Sequence, residues 1–119
     1  MSSTTPQGAI DALIEARRAK DLPAAFACYE PSATVVLQRD QIGSGEEAIR
    51  TFIKGVSDLN LSFDQHEIIE TGDVALHLSR YALDLGPNGT VNGRTADVLR
   101  KGSEGSWRII IDNAWAPSS

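Results

Sequence analysis

Apolar residues recur at spacings of three and four in the first half of the chain and at a spacing of two in the second. That change of period predicts helices followed by strands. Thr5-Pro6 opens a first helix whose stripe is Ile10, Leu13, Ile14 and Arg17, with proline tolerated in its first turn. Asp21-Leu22-Pro23 opens a short second helix in which Phe26 and Tyr29 fall three apart and which Pro31 ends. Ala33 to Gln38 reads as a short buried strand and the polar Arg39 to Ser44 as a loop. Ser44 stands three residues before Glu47, a capping-box spacing, and Ala48, Ile49, Phe52 and Ile53 form the stripe of a third helix that Gly55 stops.

Four long strands follow, over 61–71, 74–85, 90–101 and 106–115, joined by Gly72-Asp73, Gly86-Pro87-Asn88-Gly89 and Gly102-Ser103-Glu104-Gly105. Helices segregated from antiparallel strands define an α+β class: three N-terminal helices packed on a mostly antiparallel sheet, which strands of this length make strongly curved. A two-residue turn at Asn88-Gly89 places Arg80 opposite Asp97, and a four-residue turn places Leu78 there. Both registers keep Arg80 on the Asp97 face. One face then collects Val74, Leu76, Leu78, Arg80, Asp97, Leu99, Arg108, Ile110 and Asp112, an apolar field with charges near its middle and a candidate pocket lining. The other collects His77, Tyr81, Val98, Trp107, Ile109, Ile111 and Trp115. A sheet apolar on both faces needs two covers, so helices on one side imply a second subunit on the other, a homodimer through His77, Tyr81, Trp107, Ile109 and Ile111.

Composition narrows the partners. At 119 residues, 41% hydrophobic and 23% charged, the chain has the size and make-up of one globular domain. A formal charge of −5 without a basic cluster speaks against nucleic acid, since Arg17-Arg18 with Lys20 and Arg100-Lys101 are short and offset by acids. The single Cys28 makes no intrachain disulfide and lies in an apolar stretch. No run reaches the length of a membrane span and the N-terminus lacks the order of a signal peptide, so the expected compartment is the cytoplasm and no membrane partner is expected. His66 and His77 have no further ligand at metal spacing. No nucleotide or phosphate fingerprint appears either, so neither metal nor cofactor is expected.

The order of elements resembles the nuclear-transport-factor-two-like superfamily, in particular its SnoaL-like branch. The resemblance rests on Ala24-Ala25-Phe26-Ala27-Cys28-Tyr29 with Ala33-Thr34-Val35, on Gly45-Glu46-Glu47-Ala48-Ile49-Arg50-Thr51-Phe52, and on Ala96-Asp97-Val98-Leu99-Arg100-Lys101 running into Gly105-Ser106-Trp107-Arg108-Ile109-Ile110-Ile111-Asp112. It spans nearly the whole chain, as one domain over 1–119 with flexible ends at about 1–5 and 116–119. It implies a cone whose helices close the mouth, whose concave sheet lines a pocket and whose convex face forms dimers. Asp97 with Arg100 is similar to the Asp-x-aromatic-Arg motif of ketosteroid isomerases. The catalytic tyrosine and general-base aspartate of those enzymes fall at about Leu13 and at Val36 or Leu37, which hold no proton, so that mechanism does not carry over. Arg39 or Asp40 in the following loop is the available substitute. Epoxide hydrolases of the superfamily use an Asp-Arg-Asp set, for which Asp97, Arg80 and Asp112 are the candidates here, though on different strands. Asp112-Asn113 resembles a frequent SnoaL-like element.

Two functions follow as expectations. One is a small enzyme working by acid-base chemistry on an apolar, oxygen-bearing molecule, with Asp97 as donor or base, Arg80 as its tuner and Asp112 as a second polar group. Tyr29, Phe52, Leu78, Leu99 and Ile110 would contact the ligand in that case. The other is a non-catalytic dimeric binding or regulatory module.

Overall fold

A computed structural model describes residues 3–116. The helices are α1 (Pro6–Arg18), α2 (Leu22–Phe26) and α3 (Glu46–Ser57). The strands are β1 (Tyr29–Gln38), β2 (Gln41–Ser44), β3 (Leu61–Thr71), β4 (Val74–Asp84), β5 (Thr90–Lys101) and β6 (Trp107–Ala116). They form one six-stranded sheet in the order β2-β1-β6-β5-β4-β3, antiparallel except where β1 runs parallel to β6. The three helices pack on its concave side, and Ile10, Leu13, Ile49, Phe52 and Ile53 meet Val35, Leu99 and Ile109 in the core. The α+β class is thus as expected, a mixed open sheet with the helices packed on it.

Local chemistry explains the helix starts. Thr5 caps α1 by accepting the Gly8 N–H at 3.0 Å, and Asp21 caps α2 through the Ala24 N–H at 3.2 Å. The Ser44–Glu47 capping box does not form. The Ser44 hydroxyl instead bonds Thr34 across the β1–β2 hairpin at 2.8 Å, and Gly45, at φ 92°, takes the cap position with no side-chain bond. The expected loop over Arg39–Ser44 therefore contains β2, and α3 runs past Gly55 to Ser57. Tyr29, expected on the second helix, begins β1 opposite Ile109, because α2 stops after one turn. Pro31 lies in the irregular stretch of β1 between the Tyr29 and Thr34 pairings, where a missing N–H costs no ladder bond. Of the expected flexible ends, 1–2 and 117–119 lie outside the described residues. Within them, the Ser3 carbonyl accepts the Trp107 N–H at 2.9 Å and Ala116 completes β6.

The β4–β5 connection decides the site. Asp84 pairs with Thr90, leaving five residues, Leu85–Gly89, wound through one 3-10 turn at Gly86–Asn88. The Gly86 N–H bonds the Asp84 carboxylate at 2.8 Å and the Leu85 N–H reaches the Gly89 carbonyl at 2.8 Å. An odd loop reverses the parity that two or four residues would give. His77, not Arg80, therefore stands opposite Asp97, and Arg80 pairs with Arg94 on the outer face, where it donates to Gln65 at 3.2 Å. On β6 an extra residue, Ile110, intervenes between the Leu99–Ile109 and Val98–Ile111 pairings. That bulge puts Trp107 and Ile109 on the same face as Asp112, so both are buried in the core and not on the dimer face expected of them. Of the five expected interface residues only Ile111 points outwards; His77 and Tyr81 face the concave side.

Candidate functional site

Between the helices and the sheet lies a cavity of about 400 Å³. Its walls are apolar: Ile10, Leu13 and Ile14 from α1, Phe52 and Val56 from α3, and Leu61, Phe63 and Leu83 from the sheet. Tyr81 crosses the sheet surface here because its neighbour is Gly93. A Cβ at Gly93 would stand 2.2 Å from the tyrosine ring, and the hydroxyl reaches the Ala114 carbonyl at 3.1 Å. The Arg39 guanidinium lies 6.0 Å from the ring centre of Trp115, which lines the cavity.

The polar end follows directly from strand register. His77, Asp97 and Asp112 stand side by side on β4, β5 and β6. All three are buried, at 3%, 6% and 4% exposure, so every polar atom among them needs a partner within the protein. Asp97 Oδ1 accepts the Asn113 N–H at 3.2 Å and Oδ2 faces His77 Nδ1 at 2.9 Å. The other ring nitrogen of His77, Nε2, meets Nδ1 of His66 at 2.9 Å. The two ring centres are 5.1 Å apart and the planes 22° from parallel, which places the rings edge to edge as an N–H···N bond requires. His66 gets there by a β3 irregularity between Asp64 and Glu67, with Gln65 at φ 53°. Asp112 Oδ2 receives the Tyr29 hydroxyl and, at 3.2 Å, Nη2 of Arg17, which also donates to the Tyr29 oxygen at 3.0 Å. Arg17 lies 5.5 Å from the Phe52 ring centre, and its Nε has no hydrogen-bond partner among the described residues. Beside this row the Ser79 and Thr95 hydroxyls pair at 2.6 Å.

Two carboxyl groups side by side in a dry site resist ionising together. Burial pushes Asp97 up to about 6, against its hydrogen bonds to Asp112 and the Asn113 N–H. Burial, then the charge of Asp97, pushes Asp112 up to about 7 in spite of Arg17. The bond between them lowers Asp97 and raises Asp112, and the pair retains a proton above the usual carboxylate range. With Arg17 positive and one carboxylate negative, the cluster is then neutral overall, the form an apolar surrounding tolerates best. His77 is lowered, chiefly by burial, and Tyr29 is raised well above its usual range by burial and by Asp112.

Solved structures place this geometry in a known fold. A protein provisionally named a calcium/calmodulin-dependent protein kinase type II association domain, from Thiobacillus denitrificans, superposes with a TM-score of 0.80 at 17% identity over 97% of each chain. An NTF2-like protein of unknown function from Pseudomonas putida gives 0.79 at 18% identity over 95% of this chain and 84% of its own. A provisionally named ketosteroid isomerase from Shewanella frigidimarina gives 0.78 at 14% identity over 88% and 89%. The chain has the cone fold of the NTF2-like proteins. No protein-family model matches it, and no curated protein does.

In this NTF2-like cone, Asp97, Asp112 and Phe52 line the cavity as expected. The remaining candidates do not. Arg80 is exposed on the outer face, Leu78 and Ile110 turn away from the cavity, Leu99 is sealed in the core at 0% exposure, and Tyr29 lies beneath Asp112 without reaching the lumen. Arg39 and Asp40 are not on the lining, whereas Leu13 and Leu37 are. The cation that meets the carboxylates is Arg17, which the sequence already places on the apolar stripe of the first helix, one turn beyond Leu13 and Ile14; a charge at a core-facing position is the signal that points to it. His77 sits on the expected strand with the wrong face assigned, and His66 depends on a β3 irregularity that alternation does not reveal. Among the described residues no cluster of three or more metal-ligating side chains occurs, and no helix is long and apolar enough to cross a membrane.

Proposed function

We propose that the cone cavity binds a small apolar molecule carrying an oxygen function and that Asp97 and Asp112 perform general acid-base chemistry on it. One observation carries the reading: two buried carboxyl groups side by side, both raised above the usual carboxylate range by burial, form the polar end of an otherwise apolar cavity. Such a pair offers an acid and a base from one site. The protonated carboxyl donates to the substrate oxygen while its ionised neighbour accepts a proton from an adjacent carbon or from water. Arg17 and Tyr29 hold Asp112 in place, and the apolar walls exclude water that would compete for the proton. Isomerase, cyclase and hydrolase-like reactions all fit this arrangement.

The test is a thermal-shift screen of the protein against steroids, phenolic aromatic compounds and terpenoids, repeated on Asp97→Asn. The expected result is a compound that raises the melting temperature of the wild type and shifts the variant differently. A compound that stabilises both proteins equally, or no stabilising compound at all, contradicts the acid-base reading and favours a non-catalytic module.

The outer face supports a homodimer. Leu76, Leu78 and Val98 are half-buried there and Ile69, Val74 and Ile111 are exposed, at 52%, 39% and 40% for the last three. The helices already cover the concave side, so a second copy laid face to face is the economical cover for this one.

A further inference from the structure

Asp97 and Asp112 lie under the helices, and a carboxyl group that gives a proton to a bound molecule must recover one. Water cannot supply it through a lumen filled by an apolar ligand. The structure holds another way in. His77 Nδ1 bonds Asp97 Oδ2, His77 Nε2 bonds His66 Nδ1, and His66 is an exposed residue at the cavity edge. We infer that His66 and His77 form a proton relay connecting the buried carboxyl pair to solvent, with His66 Nε2 as its entrance. This deepens the acid-base reading and rests on it.

The hydrogen-bond directions are fixed by Asp97. An ionised Asp97 only accepts, so His77 Nδ1 carries the hydrogen, His77 Nε2 is a bare acceptor, and His66 must present Nδ1–H to it. Both rings are then in the Nδ1–H tautomer and the Nε2 lone pair of His66 is free. A proton arriving from hydronium on that nitrogen is matched by transfer of the His66 Nδ1 proton to His77 Nε2 and of the His77 Nδ1 proton to Asp97 Oδ2. Three bonds to hydrogen form, at His66 Nε2, His77 Nε2 and Asp97. Three break, at hydronium, His66 Nδ1 and His77 Nδ1. Both imidazoles end neutral as Nε2–H tautomers, one proton has moved from water to the carboxyl pair, and the reverse sequence returns a proton taken from the bound molecule. The charged groups around the path are Arg17 and Asp11 from α1 and Asp112 from β6, with the Tyr29 hydroxyl on β1. His66 and His77 are relay and positioning residues; the carboxyl groups meet the substrate.

The chain contains two histidines, so long-range proton–nitrogen-15 spectra of the imidazoles read the relay without overlap. At pH 8 the ligand-free wild type is expected to show both rings as Nδ1–H. In Asp97→Asn the Asn113 N–H keeps the amide oxygen on its side, which turns the amide NH₂ towards His77 Nδ1; both rings are expected to switch to Nε2–H, although only one touches residue 97. Asp112→Asn, which leaves the Asp97 carboxylate in place, is expected to leave both tautomers at pH 8 unchanged. A wild-type His66 found as Nε2–H at pH 8, or a His66 unmoved while His77 switches, overturns the relay. The wild-type measurement needs no variant to fold. Because the spectra are taken without ligand, a failed relay leaves the acid-base reading to its own ligand screen, and a failed screen leaves the tautomers to be read.

Discussion

Asp112 receives two donors, the Tyr29 hydroxyl and the Arg17 guanidinium, and is still raised to about 7, because burial and the charge of Asp97 together outweigh them. Stability should therefore depend on pH in a definite direction. A carboxyl raised in the folded state stabilises the fold fully below its unfolded value near 4, and that contribution is lost as pH rises through the folded value. His77, lowered by burial, acts the opposite way, but only at or below its ordinary range. Between pH 6.5 and 8 the carboxyl pair dominates, so chemical denaturation should show stability falling by about 1 kcal/mol across that window. In Asp112→Asn the fall should largely disappear. Arg17→Met leaves Asp112 without its cation and should cost about 3 to 5 kcal/mol at pH 8, where the pair is ionised, and less at pH 5.5, where it is protonated. An equal loss at both pH values would mean that Arg17 acts through packing on Phe52 and not through charge.

At the level of elements, most of the fold is legible in the sequence. The change from helical to strand period is unambiguous, and each long strand is found within a residue or two of its expected span. What pattern does not carry is parity. Asn88-Gly89 is a strong turn signal, yet the Asp84 carboxylate and a 3-10 turn make the connection five residues long, and that single residue moves Arg80 out of the site and His77 into it. The bulge at Ile110 has the same effect on Trp107 and Ile109. Alternation counts positions, whereas bulges and odd loops change the count, so it keeps Asp97 and Asp112 on one face and misplaces their neighbours. The Tyr81–Gly93 contact is a further property of the β4–β5 pair. Gly93→Ala forces the ring aside and away from the Ala114 carbonyl, and should cost about 1 to 3 kcal/mol in urea denaturation.

On the scale of the molecule, the sheet has one face under helices and one partly apolar face that is exposed, the face proposed above for a dimer. Leu76→Glu or Ile111→Lys, both on the outer face and remote from the cavity, should convert a dimer to a monomer by light scattering while leaving ligand stabilisation in place. A wild type that runs as a monomer at high concentration would remove the dimer from the account without touching the cavity. The central claim is narrower than either fold or assembly: that two carboxyl groups at the end of an apolar cavity keep a proton near neutral pH. Carbon-13 titration of the aspartate carboxyl resonances, assigned with Asp97→Asn and Asp112→Asn, measures this directly. The account predicts titrations of Asp97 and Asp112 displaced to about 6 and about 7, with Asp112 falling when Asp97 is replaced; both groups titrating near 4, like exposed aspartates, would contradict it.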